Sequence, residues 1–142
     1  MSLVKAAFFT VAGTAGGVLA QFMGGYDNLL QALIVFMAVD FITGWLAAAV
    51  FKSSKKSETG RLSSDAGFRG LIKKGCVLLM IAVAAHLDGL LGTNNVTRNA
   101  TIIGFSLNEL LSIVENMDSM GVKLPRAIIN ALELLGKGEQ KK

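Results

Sequence analysis

Asp40 is the single charge in the apolar run 28–51, with Asn28 and Lys52 equally far on either side. A helix rises 1.5 Å per residue, so roughly 20 residues cross a ~30 Å hydrocarbon core. Asp40 therefore falls near the middle of a span, where a charge costs about 2.5–3.5 kcal/mol on insertion scales. Gly44 and Ala47 follow it at helical spacing and Thr43 lies beside it, so the carboxyl heads a stripe of small and polar side chains. Such a stripe is a polar seam that faces other subunits or a wet lumen, a hinge between a dry assembly and a hydrated one. Its plainer alternative is a carboxyl hydrogen-bonded within one bundle.

Other polar residues interrupt the later apolar runs. His86 and Asp88 are two positions apart and share no helix face, so a metal would need a third ligand such as Glu109 or Asp40 from another span. No metal site is expected. Asp88 is instead placed to pair with Arg98 at the start of the next segment, and Asn108, Glu109 and Ser112 form a second polar patch. The seam residues are then Asp40, Thr43, Gly44, His86, Asp88, Asn108, Glu109 and Ser112. No nucleophile is spaced from a base in a catalytic pattern. The Ser63-Ser64 and Gly67 to Gly70 stretch lacks the full phosphate-loop motif. Neither an enzyme nor a cofactor is expected, and the lone Cys76 allows no internal disulfide.

The elements that must position these residues are long apolar helices. The chain of 142 residues is 52% hydrophobic and only 17% charged, too little polar material to cover a soluble domain of this size. Candidate spans are 6–23, 28–51, 71–92 and 96–114, the first weakly apolar and the fourth rather polar. No cleaved leader is expected ahead of them. Between the second and third lies a basic loop, 52–74, with Lys52, Lys55, Lys56, Arg61, Arg69, Lys73 and Lys74 against Glu58 and Asp65. Loops of this charge stay cytoplasmic, whereas the turns 24–27 and 93–95 carry no Lys or Arg. No aromatic side chain interleaves the basic residues, so anionic lipid headgroups rather than nucleic acid are their expected partners. Gly13, Gly16, Gly17 and Ala20 form a small-residue ridge suited to close helix contact in lipid. Residues 125–135 have the apolar spacing of an amphipathic helix begun by Pro125, and 136–142 form a polar tail. The expected fold is all-α, a single-domain integral membrane bundle of about four transmembrane helices with a C-terminal amphipathic helix and both termini cytoplasmic. A three-span alternative leaves 6–23 in the interface.

Three stretches resemble one family. The run 108–116, reading NELLSIVEN, followed by Gly121-Val122 and Pro125, is similar to the C-terminal signature of the phage-lysis and toxin-secretion holins. The run 40–44, DFITG, and the residues Ser63-Ser64, Gly67, Gly70 and Lys73-Lys74 match the same family. The resemblance implies a small multi-pass protein of the bacterial cytoplasmic membrane that oligomerises with itself. It then opens lesions that collapse the membrane potential and release an endolysin, a cell-wall hydrolase, lysing the host. Direct contact with that hydrolase is not implied. A holin-like role in toxin export and a small four-span transporter or channel are the alternatives. Against a transporter stand the long basic loop and the lack of an internal repeat.

Overall fold

Asp27 starts the first well-defined helix of the bundle by capping it. Its Oδ1 accepts from the Leu30 N–H at 2.9 Å, satisfying one donor that the helix N-terminus leaves open. The computed structural model describes residues 2–52 and 63–139, with side chains as far as Leu134. In chain order the helices are α1 (Leu3–Phe22), α2 (Asn28–Ala49), α3 (Ser64–Leu91), α4 (Val96–Ser119) and α5 (Arg126–Glu139). The fold is all-α, and no strand occurs among the described residues.

Helices α2, α3 and α4 form the bundle, with α2 and α4 packed most closely. Leu30, Leu33 and Met37 of α2 meet Ile81 of α3 and Ile102 of α4 in the apolar core, which Met23 closes at one end. The tight turn 92–95 sends α4 back antiparallel to α3, and Gly92, at φ +67°, ends α3 in the left-handed conformation that suits glycine. The turn between α1 and α2 lies at the same end, because Gly24 packs against Arg98 of α4 and Ala85 of α3.

Three helices, α1, α2 and α3, are long and apolar enough to cross a membrane. The segment expected as a fourth span forms α4, whose 24 residues would reach roughly 36 Å. It falls short in apolarity rather than length, since it carries Arg98, Glu109, Glu115 and Asp118. The three-span alternative leaves out a different segment, 6–23, which the structure makes the long apolar helix α1. No residue of α1 is buried in the protomer, and Phe8, Phe9, Val11 and Leu19 all face outward.

The expected loop 52–74 is shorter than its charge pattern suggests. Ser63 caps α3 by accepting from the Ala66 N–H at 3.4 Å, so residues 64–74 are already helical. Lys55, Lys56 and Arg61 lie outside the described residues. The C-terminal helix begins one residue after Pro125, whose carbonyl accepts from the Ile128 N–H, and runs on to Glu139. It thus takes in the first residues expected as polar tail, and Ile128, Ile129 and Leu134 on it remain exposed.

Candidate functional site

The core of the bundle holds two polar clusters. The inner one joins all three helices through Lys74 of α3. Its Nζ donates to Asp40 Oδ2 of α2 at 2.8 Å and to Glu109 Oε2 of α4. Asn116, two turns further along α4, donates its Nδ2 to Asp40 Oδ1 at 3.0 Å and to Thr43 Oγ1 at 3.0 Å. The Thr43 hydroxyl in turn donates to the Val39 carbonyl at 2.9 Å. Asp40, Thr43 and Asn116 are buried, and Lys74 and Glu109 nearly so. An ionised carboxylate in so dry a place persists only when paired and hydrogen-bonded. The arrangement supplies both, with two acidic side chains facing one ammonium.

The outer cluster centres on Arg98, whose side chain has 0% exposure. Its guanidinium donates to Asp27 Oδ2 at 2.6 Å, to the Gly25 carbonyl at 2.9 Å, to Asn99 Oδ1 at 3.0 Å and to the Met23 carbonyl. Arg98 therefore closes the C-terminal end of α1 and the start of α2 onto α4. The hydrogen bond from Arg98 holds the Asp27 carboxyl below its ordinary value of 3.8, against the opposing effect of desolvation. Asp88 does meet Arg98, but not side chain to side chain as expected. Its carboxylate accepts from the backbone N–H groups of Thr97, at 3.0 Å, and Arg98, at 2.7 Å, and from the Thr93 hydroxyl. It works as a cap for α4 supplied by α3, which explains why Asn95 makes no side-chain cap of its own.

The expected seam is thus divided. Asp40, Thr43 and Glu109 come together, with Gly44 half-buried one turn along and Ser112 half-buried one turn beyond Glu109. Asp88 belongs to the outer cluster, roughly 21 Å from Lys74 along α3. Asn108 faces outward, and so does His86, whose Nδ1 lies 2.8 Å from the Ala82 carbonyl and whose ring lies 5.6 Å from that of Phe22. Of the residues expected at the headgroups, Lys52, Arg69 and Lys73 are exposed, whereas Lys74 turns inward. At Gly13, Gly16 and Gly17 of the ridge a Cβ would meet nothing within 4 Å among the described residues. Ala20, on the same ridge, is half-buried.

Sequence reasoning missed Lys74 as the partner of Asp40, and Asn116 and Asp27 as members of the clusters. A signal for Lys74 exists. Adjacent helical residues point about 100° apart, so Lys73 and Lys74 cannot share one direction, and Lys74 stands one residue nearer the apolar run that packs in the bundle. For Asp27 the signal is its position just before an apolar run, where Asp is a favoured cap.

Fold and site together define a small all-helical membrane protein whose buried charges are paired across helices. The chain belongs to the bacteriophage holin family, whose model matches residues 17–137. It is 30% identical over 121 residues to a probable holin of Bacillus phage phi105, covering 85% of this chain and 84% of that protein. An uncharacterized protein of Listeria monocytogenes serovar 1/2a is 36% identical over 130 residues, 89% of this chain and 87% of its own. An uncharacterized 14.9 kDa protein of Clostridium perfringens is 36% identical over 122 residues, 84% and 86% of the two chains. No solved structure matches.

Proposed function

We propose that this protein is a lysis holin that accumulates in the bacterial cytoplasmic membrane, associates with further copies of itself and opens lesions. The lesions collapse the membrane potential and let a cell-wall hydrolase reach its substrate. The observation that carries the reading is the family match over 17–137, which spans both polar clusters and all of α2, α3 and α4. The physics supports it. A bundle with a charged triad in its interior has polar surface ready to face water if the helices separate, and α1 offers an apolar, small-residue surface that the protomer leaves uncovered. The triad and the headgroup-facing basic residues need no bound cofactor. The basic residues after α2 set the orientation, with both termini and the 52–63 segment in the cytoplasm if α4 also crosses. Thiol labelling of Asn94→Cys from outside the cell tests that orientation, and labelling only from the cytoplasm would reverse it.

The functional test is induced expression in a bacterium carrying a cytosolic endolysin. Growth should stop abruptly after a delay, the membrane potential should fall, and the culture should then clear. Abundant protein in the membrane of a normally growing culture with its potential intact would overturn the reading.

A further inference from the structure

Helix α3 is attached to its neighbours unevenly. In its outer half Ile81 and Ala84 are buried and Asp88 caps α4. No residue in 64–80 is buried. The face of α3 that carries Lys74 continues inward, at helical spacing, through Gly70 and Gly67. A Cβ at either glycine would meet nothing within 4 Å among the described residues. Among the described residues the packing of the inner half is partial: Ala66, Gly67, Gly70, Val77 and Leu78 are half-buried and none is fully buried. Among the described residues, the charged contact that ties it to both neighbours is the Lys74 ammonium, set between Asp40 and Glu109, which α2 and α4 present side by side.

From this asymmetry, and resting on the holin reading above, we infer that Lys74 is a latch. It keeps the inner half of α3 docked on the α2–α4 pair, and its release lets α3 lever outward about the Asp88 end, admitting water to the core. The charges make the latch two-sided. With Lys74 gone, Asp40 and Glu109 lose the ammonium they share across the closely packed α2–α4 pair, a loss that a dry core disfavours and entering water relieves. Lys74 thus acts as a positioning residue: it passes nothing through the membrane and sets where α3 rests.

Water-soluble thiol reagent applied to membranes containing the full chain, in a Cys76→Ser background, tests this. Leu78→Cys reports on the face just outward of Lys74, and Ala84→Cys on the hinge end. Both cysteines should react slowly while Lys74 is present. Adding Lys74→Met should speed labelling at Leu78→Cys by about tenfold or more, since a tenfold change needs only ~1.4 kcal/mol and breaking a buried ion pair by removing one partner exceeds that. Ala84→Cys should stay protected, and Lys74→Arg should restore protection at Leu78→Cys. The paired change Asp40→Asn with Glu109→Gln, keeping Lys74, should open Leu78→Cys in the same way and guards against a fault peculiar to Lys74→Met. Continued protection of Leu78→Cys in both variants overturns the latch, and so does equal exposure of Ala84→Cys, which would mean release of the whole helix. Labelling is read without lysis, so a chain that never permeabilises cells would sink the holin reading while leaving this result to stand or fall alone.

Discussion

Asp27 serves two helices at once: its Oδ1 caps α2 through the Leu30 N–H at 2.9 Å, while its Oδ2 receives Arg98 of α4 at 2.6 Å from 71 positions away. The pair ties the two turns at one end of the bundle into a single unit. Because Arg98 also donates to the carbonyls of Met23 and Gly25 and to Asn99 Oδ1, its removal strands four acceptor groups together. Arg98→Met should therefore lower stability by about 3 kcal/mol, the low end for breaking a buried pair, since Asp27 is 46% exposed and water can reach it. Thermal unfolding of the detergent-solubilised protein measures the loss. An unchanged midpoint would show that the cluster holds nothing together.

The same pair sets a pH dependence with a definite sign. Asp27 has its carboxyl lowered in the folded protein, first by the hydrogen bond from Arg98 and further by the Leu30 N–H. A lowered folded-state value means that the group binds its proton more readily when unfolded. Its stabilising contribution is thus complete above the unfolded value of 3.8 and is lost as pH falls through the lower folded value. Wild type and Asp27→Asn should differ by a constant amount from neutral pH down to about 5 and converge only in stronger acid. A difference that changes between neutral pH and that point would contradict the assignment.

The two clusters were unequally legible in the sequence. Asp40 and Glu109 announce themselves because a charge in an apolar run is costly, and Thr43 follows from helical spacing. Lys74 is hidden because a basic residue at the end of an apolar run has an equally good home at the headgroups, and only the packing of α3 decides which way it turns. Arg98 and Asp88 were foreseen as partners, yet a helix N-terminus exposes backbone N–H groups that compete for a carboxylate. That competition sends Asp88 to the α4 backbone and frees the guanidinium for Asp27. The helices themselves were plain from their apolar blocks. The start of α3 was not, because Ser63 can cap a helix inside a run of charges that otherwise reads as loop.

Glycines inside α1 and in the turn just after it should respond in opposite ways. Gly24 has φ +84°, and a Cβ there would lie 2.8 Å from Arg98 Cδ and 2.9 Å from its Nε, both atoms of a side chain pinned by hydrogen bonds. Gly24→Ala should cost about 2–5 kcal/mol from strain and overpacking together. Gly25→Ala, at φ +100° but in open space, should cost only about 1–2 kcal/mol from the backbone conformation. Gly17→Ala lies in a regular helix with nothing nearby and should stabilise α1 by about 0.5–1 kcal/mol. Unfolding midpoints of the three variants should rank in that order. A change in lysis timing larger than this gain in helix stability explains would point to a contact of the ridge with another copy, because no described residue lies within 4 Å of a Cβ there.

Asp40 and Glu109 make the sharpest comparison, because each removes one acid from a triad that has two. Asp40→Asn and Glu109→Gln both leave Lys74 with one carboxylate, so each weakens the hold on α3 without abolishing it. Asn at position 40 can still take the Asn116 amide, now at 3.0 Å from Oδ1, so insertion and accumulation should be near normal. Asp40→Leu differs: it removes the carboxylate acceptor of the Asn116 amide while Thr43 Oγ1 remains, leaves Lys74 to Glu109 alone and deletes the polar surface that water would meet. At matched abundance in the membrane, Asp40→Asn and Glu109→Gln should each bring lysis forward, whereas Asp40→Leu should accumulate and fail to lyse. A purely structural hydrogen bond at Asp40 makes a different set of forecasts. Asn would then restore wild-type timing, Gln at 109 would be silent, and Leu would reduce protein level rather than function. Lysis time against immunoblotted membrane abundance for the three variants separates the two accounts, and wild-type timing in all three would take the triad out of the mechanism.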